Sequence, residues 1–351
     1  MAKNRGKGKN SAVYITVAVL IVLTAALLVL VCTSEGRRFT TDAAAAYIHD
    51  NINYIPSSRS DSSDQTNSVW SEGTLTGVPD MPSKEGEYYH ILLLGEEAMY
   101  TVPGKGRTDL IMLATINVPA ASVRLVSLLR DTYVPIPGYK DNKLNSVYAK
   151  GGIELLYQVI EENYGIRPDG YVLVGFEGFE KIIDRLGGVT VELTKEEAEY
   201  LNTTKYISKP EYRCVVPGKQ KLNGSQTLGY CRVRKVPNIN GTRYDYGRTE
   251  RQRMVLESLF DCYVDAGIHQ WVPILREVMG LVQTDISQDL LEDILFAVYD
   301  NKITSFRTMQ IPAAGTFESV DNKNGVTAVL VPDWEENRRL LQKFIFDKNK
   351  N

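Results

Sequence analysis

Histidine is nearly missing from this chain: three among 351 residues, at His49, His90 and His269. None has a nucleophile close by in sequence, which argues against a Ser–His–Asp hydrolase and against a histidine-rich metal site. Cysteine is scarce as well. Cys32, Cys214, Cys231 and Cys262 show no CxxC or other zinc spacing. Positive charge has no surplus either, because 40 Lys and Arg face 43 Asp and Glu for a net −3. Without an overall basic field, no nucleic-acid partner is expected. No internal repeat and no long charge run is present. What the chain does have is 43% hydrophobic and 24% charged residues, ample for the core of one large domain or two small ones.

The N-terminus carries the only long apolar run. Lys3, Arg5, Lys7 and Lys9 precede an uncharged stretch at 12–31, about the ~20 residues a helix needs to span a bilayer. The basic flank places residues 1–11 in the cytoplasm and everything after the 12–33 helix outside. A cleaved signal peptide fits less well, since the apolar core exceeds the usual ~7–15 residues and no small-x-small site follows. Residues 34–85 read as a flexible stalk, with a short helix at 41–52 and a Ser/Asp-rich stretch at 57–68.

Beyond the stalk, short apolar runs alternate with helical patterns. Runs at 91–94, 110–116 and 123–129 suit strands buried on both faces. Charged residues flank them: Glu96 and Glu97 after the first, Arg107 and Asp109 before the second, Arg130 and Asp131 after the third. Neighbouring strands would gather these ends at one rim of a sheet, where open α/β sheets bind ligands. Taken alone, ordinary solvated strand caps explain them as well. Helices are expected at 152–164 and 176–186, stopped by Gly165 and by Gly187–Gly188. Strands are expected at 171–174 and, at a sheet edge, 189–193. Residues 194–216 read as a mobile insertion, and 226–234 as an extended segment entering a polar loop at 235–246. A helix follows at 247–265, then helices at 274–282, 290–298 and 334–346 and strands at 305–311 and 327–331. This alternation predicts a single α/β domain of α-β-α type around a central mixed sheet, at 86–348.

The arginines carry the chemistry. Arg232 and Arg234 would share one side of a strand. Arg248 and Arg251 lie three apart at a helix start and share a face, with Gln252 beside them. Cations there oppose the helix macrodipole, an arrangement that makes sense if an anion lies between them and the free N–H groups.

Set in order, LLLGEE, GKGRTDLIML, SLLRDTYVPIPG, KLNSVYAKGG, VLVGFEGFEKIIDRLGGV, PGKQKLNGSQTLGYCRVR and DYGRTERQR resemble the LytR–CpsA–Psr (LCP) family of cell-wall glycopolymer ligases. The resemblance spans roughly residues 89–346. It implies a membrane-anchored, extracytoplasmic enzyme that moves a glycopolymer, as a sugar phosphate, from a polyprenyl pyrophosphate carrier to peptidoglycan. The polymer would be teichoic-acid-like or a capsular or wall polysaccharide. By position, Arg107, Arg130, Arg232, Arg234 and Arg248 match the family's pyrophosphate-holding arginines, with Arg251 a helper and Gln252 alongside. Asp109 matches one of two acidic positions tied to Mg²⁺ (or Mn²⁺) and to the acceptor hydroxyl. The second, usually aspartate, is Glu97 here. Asp245 is a weaker match, and Lys143 and Asn145 fall near the site. The resemblance also leaves room for a non-catalytic polymer- or pyrophosphate-binding regulator, or a lipid pyrophosphate hydrolase. The faces at 155–160 and 176–186 are candidate walls for a polyprenyl tail or ordinary core. Cys214 and Cys231 are either a disulfide or free thiols.

Overall fold

The computed structural model describes residues 34–57, 86–96, 108–266, 277 and 279–349. In chain order its elements are α1 (Ser34–Asn51), β1 (Asn53–Tyr54), β2 (Tyr88–Glu96), β3 (Thr108–Asn117), β4 (Ser122–Leu128), β5 (Tyr133–Val134) and β6 (Asn142–Lys143). Then come α2 (Val147–Tyr164), β7 (Gly170–Gly175), α3 (Phe176–Arg185), β8 (Val189–Leu193), α4 (Lys195–Thr203), β9 (Gly218–Leu222), α5 (Gly224–Arg232) and α6 (Tyr244–Ala266). The C-terminal part holds β10 (Val282–Thr284), α7 (Gln288–Asp300), β11 (Ser305–Ile311), β12 (Phe317–Lys323), β13 (Val326–Pro332) and α8 (Trp334–Phe346).

A central sheet of order β1-β10-β7-β2-β3-β4-β11 organises the chain. It is mixed: β2 runs parallel to β7 and β4 to β11, while β2–β3 and β3–β4 are antiparallel. The end of β2, the start of β3 and the end of β4 therefore meet at one rim, as their flanking charges predicted. The β2–β3 register slips between Gly95 and Glu96 at that rim, the kind of bulge that re-aims side chains beside a site.

Strand alternation explains both layers. Leu92, Leu94, Ile111, Leu113, Val126 and Leu128 point to one face and are sealed by α2 and α8. On the opposite face Leu93, Leu110, Val172 and Val174 are only half-covered. There α3, α5 and α6 stand over the sheet, around a second core that includes Ile183, Tyr230 and Val255. The α-β-α layering matches the expectation.

Several local readings need correction. Residues 34–57 are packed on the domain: Arg37 reaches Asp300 at 2.5 Å, Arg38 reaches Asp293 at 2.8 Å, and the Ser57 hydroxyl donates to the buried Asp285 at 2.5 Å. The membrane run at 12–33 and the rest of the stalk, 58–85, lie outside the described residues. Among those described, no helix is long and apolar enough to cross a membrane. The supposed insertion at 194–216 contains α4, opened by a reciprocal capping box in which the Thr194 hydroxyl accepts from Glu197 N–H and the Glu197 carboxylate from Thr194 N–H. The segment at 226–234 is mostly helical, because Asn223 and Gln226 form a second such box at the start of α5. The edge strand at 189–193 pairs with β9 in a separate two-stranded sheet. Of the helix expected at 274–282, Val282 belongs to β10, which joins the central sheet beside β7.

His90, third residue of β2, is buried with Nδ1 2.9 Å from the Thr115 hydroxyl. Burial pushes its imidazole from 6.5 down to about 4. The unfolded chain therefore gains a proton below pH 6.5 that the folded one refuses until about pH 4. Stability present above that window is lost as pH falls through it, by about 3 kcal/mol. Denaturant unfolding from pH 7 to 4 should show wild type losing that much relative to His90→Gln. Parallel curves would contradict the assignment.

Candidate active site

A cavity of about 380 Å³ opens between the half-covered sheet face and the helices α3, α5 and α6. Its floor is Leu93, Leu110, Val172 and Val174, and its walls include Phe176, Phe179, Ile182, Leu228, Leu256 and Leu259. This lining accounts for the incomplete cover of apolar residues in central strands. Phe176, Phe179, Ile182 and Ile183 line the cavity, whereas the apolar face at 155–160 lies across the sheet in the α2–α8 core.

Asp109, Arg130, Arg232, Arg234, Arg248 and Gln252 line the same cavity. The rim of the sheet supplies Asp109 and Arg130, and the end of α5 and the residues after it supply Arg232 and Arg234. Arg248 and Gln252, one turn apart on α6, complete the set. Arg130 donates to Asp109 Oδ1 at 2.5 Å, and Arg248 stands 3.9 Å from the same oxygen. Arg232 lies over the Phe176 ring at 4.9 Å and the Tyr206 ring at 5.7 Å, so its guanidinium plane is held by stacking. The Gln252 amide donates to the Cys231 carbonyl at 3.3 Å.

Asp245 organises this group. Its Oδ1 lies 2.9 Å from Arg248, 3.4 Å from Arg130 and 3.7 Å from Arg234. The sequence signal was its place three residues before Arg248, on the same face of α6. Behind Arg130, Lys143 holds Asp131 at 2.8 Å, and the Asn145 N–H donates to the Arg130 carbonyl at 3.1 Å. Lys143 and Asn145 thus fix the turn that presents Arg130.

The cluster is cationic on its cavity side, with four arginines against Asp109. Burial works against the Arg130 charge, but Asp245, Asp109 and Asp131 outweigh it and hold the group above its ordinary value. For Arg248 burial prevails over Asp245 and, with Arg130 nearby, lowers it. The Nε atoms of both are buried without a hydrogen bond among the described residues. Guanidiniums that partly repel one another around one cavity are suited to an anion with several oxygens.

Two expected site residues, Glu97 and Arg107, lie outside the described residues. Arg251 is corrected. It is fully buried, pairs with the equally buried Glu197 at 2.7 Å, and donates to the Val233 and Val236 carbonyls at 3.1 and 2.9 Å. It turns away from the cavity and ties α6 to α4 and to the chain after α5. Arg232 ends a helix, so its relation to Arg234 is not that of strand neighbours. Cys214 and Cys231 are free thiols, one exposed and one buried.

For a divalent cation, the described residues hold no cluster of three or more His, Cys, Asp or Glu. Asp109 is 42% exposed, and both arginine contacts fall on Oδ1. That fits Mg²⁺, which takes one or two carboxylates and completes its shell with phosphate oxygens and water.

Comparison with known proteins bears on the family and the fold. The model of the LytR_cpsA_psr family matches residues 52–342. The chain is 30% identical over 267 residues to regulatory protein MsrR of Staphylococcus aureus strain COL, covering 75% of this chain and 76% of that one. It is 30% identical over 259 residues to the polyisoprenyl-teichoic acid–peptidoglycan teichoic acid transferase TagU of Bacillus mycoides, covering 73% and 78%. Among solved structures, protein gbs0355 of Streptococcus agalactiae superposes with a TM-score of 0.60 at 25% identity, covering 75% and 88%. TagT bound to LIIa-WTA superposes at 0.59 and 22% identity, covering 80% and 99%, a likeness of fold.

Proposed function

The chain belongs to the LytR_cpsA_psr family, and from that premise we propose that it transfers a wall glycopolymer, as its sugar phosphate, from a polyprenyl pyrophosphate carrier to peptidoglycan. The observation that carries the reading is one cavity with an arginine cluster at its rim and an apolar interior. A polyprenyl pyrophosphate has that polarity, with charge at one end and hydrocarbon at the other. The transferase name of the TagU relative supports the same chemistry. The proposal includes anchoring by the 12–33 run, with the domain on the outer face of the membrane.

In this reaction the acceptor hydroxyl oxygen bonds to the sugar-side phosphorus. The bond from that phosphorus to the bridging oxygen breaks, and its electron pair leaves with the lipid monophosphate. The hydroxyl proton passes to a carboxylate, Asp109 or Glu97. Arg130 and Arg248, fixed from behind by Asp245, meet the charge that grows on the leaving phosphate. Arg232, Arg234 and Gln252 hold the pyrophosphate in line. Mg²⁺ held by Asp109, with Glu97 as second ligand, would offset phosphate charge.

The test is incubation with a polyprenyl-pyrophosphoryl oligosaccharide and a peptidoglycan oligomer, with and without Mg²⁺. Metal-dependent release of lipid monophosphate together with a glycan-linked product is expected. Release without that product would point to a hydrolase. Binding without turnover would favour a regulator, the reading that the MsrR name supports.

The hydrocarbon end has its own test. Val174 is on the cavity floor and half-covered, so Val174→Trp fills space without overpacking the sealed core. Affinity for a long-chain polyprenyl pyrophosphate should fall at least about tenfold, because each excluded methylene forfeits ~0.8 kcal/mol. Affinity for inorganic pyrophosphate should hold. Unchanged affinity for the long lipid would place the tail elsewhere.

A further inference from the structure

Tyr244 opens α6 immediately before Asp245. It is 72% exposed, and its backbone lies in the left-handed region at φ +56°. A bulky residue there is a genuine outlier, and such strain persists only where surrounding structure enforces it.

The enforcement is visible. The Tyr244 N–H donates to the Arg234 carbonyl at 2.7 Å, so the backbones of two cluster residues' segments are joined at this point. The preceding loop, 235–243, is clamped on α6. Glu250 accepts from the Asn238 side chain at 2.7 Å and the Asn240 side chain at 2.6 Å, and the Asn238 N–H donates to the Thr242 carbonyl at 3.0 Å. Gly247 lets this loop approach, since a Cβ there would stand 2.5 Å from the Thr242 oxygen. Two residues on, Tyr246 is turned inward and stacks on Phe317 at 6.0 Å. An inward ring serves packing. An outward ring on a strained backbone that is tied to Arg234 and precedes Asp245 serves no packing.

We propose that the Tyr244 ring is a stacking platform for a sugar ring held beside the reacting phosphate, setting how the saccharide enters the arginine cluster. This inference rests on the transferase reading. A pyranose presents an apolar C–H face to an aromatic ring and hydroxyls to its edges, and phenol combines a flat apolar face with a polar tip. The sugar is that of the donor or that of the acceptor, and both carry the same recognisable face.

The full-length chain in detergent, with Tyr244→Ala, Tyr244→Phe and Tyr244→Gly, separates the outcomes. Tyr244→Ala should bind a sugar-bearing polyprenyl pyrophosphate about tenfold more weakly, or show an acceptor KM about tenfold higher. The first result assigns the platform to the donor and the second to the acceptor. Tyr244→Phe should restore most of either. Affinity for sugar-free polyprenyl pyrophosphate should be unchanged in all three. Tyr244→Gly should lose sugar binding as Tyr244→Ala does, yet melt about 2 °C higher because glycine relieves the left-handed strain. Equal loss for sugar-free and sugar-bearing lipid, a lowered Tm in Tyr244→Gly, or no loss in either sugar measurement would overturn the platform. Failure of wild type to bind the sugar-free lipid would instead contradict the functional reading beneath it.

Discussion

Arg130→Ala should reduce polymer transfer by about 100- to 1,000-fold, the loss seen when one preorganised donor to developing charge is removed. Arg130 is the hub of the cluster, touching Asp109 at 2.5 Å and Asp245 at 3.4 Å. Stability should change little. Asp109 is 42% exposed and can be rehydrated, and Asp245 keeps Arg248 at 2.9 Å. Arg130→Lys should recover only a small part, because lysine offers a point charge where the site uses a planar fork. Steady-state transfer with a melting curve for each variant checks this. Full transfer by Arg130→Ala would remove the residue from the mechanism.

Arg251→Ala should do the reverse. Its partner Glu197 would remain fully buried without its cation, and the Val233 and Val236 carbonyls would lose a donor. Breaking a buried pair from one side costs about 3–5 kcal/mol, which corresponds to a Tm lower by about 10 °C or more. Any molecules that remain folded at low temperature should transfer polymer normally per folded chain. Replacing both partners, Arg251→Met with Glu197→Gln, should restore part of the stability. A wild-type Tm with lost transfer would return Arg251 to the phosphate site.

The contrast between these arginines shows where sequence reasoning reached and where it stopped. Three apolar runs with charged ends were enough to expect Asp109 and Arg130 at one rim, because β-strands carry end residues to predictable places. The i, i+3 spacing put Arg248 and Arg251 on one helix face, whereas in the structure only Arg248 lines the cavity and Arg251 pairs with Glu197. Spacing could not say which of the two faced the cavity, since that depends on Glu197, 54 positions earlier. The signal for Glu197 was present: Thr194 and Glu197 form a capping box, as do Asn223 and Gln226. Reading those boxes as helix starts would have replaced the insertion with α4 and the extended segment with α5. Asp245 is only a weak motif match, yet its i, i+3 spacing to Arg248 is helical and brings it onto the arginine cluster. The cavity floor was not legible at all. Leu93, Leu110, Val172 and Val174 belong to strand runs that look uniformly apolar, and only the arrangement of α3, α5 and α6 leaves one face half-covered.

The most direct measurement is the fate of the two donor phosphates. A polyprenyl-pyrophosphoryl oligosaccharide labelled separately at the sugar-side and lipid-side phosphorus is given to the enzyme with a peptidoglycan oligomer. The account predicts that the sugar-side label appears in a phosphodiester joining oligosaccharide to peptidoglycan, while the lipid-side label stays on polyprenyl monophosphate. Both products should form about 100- to 1,000-fold more slowly with Arg130→Ala. A glycan-linked product lacking the sugar-side phosphate, or both labels retained on lipid at full occupancy of the cavity, would contradict it.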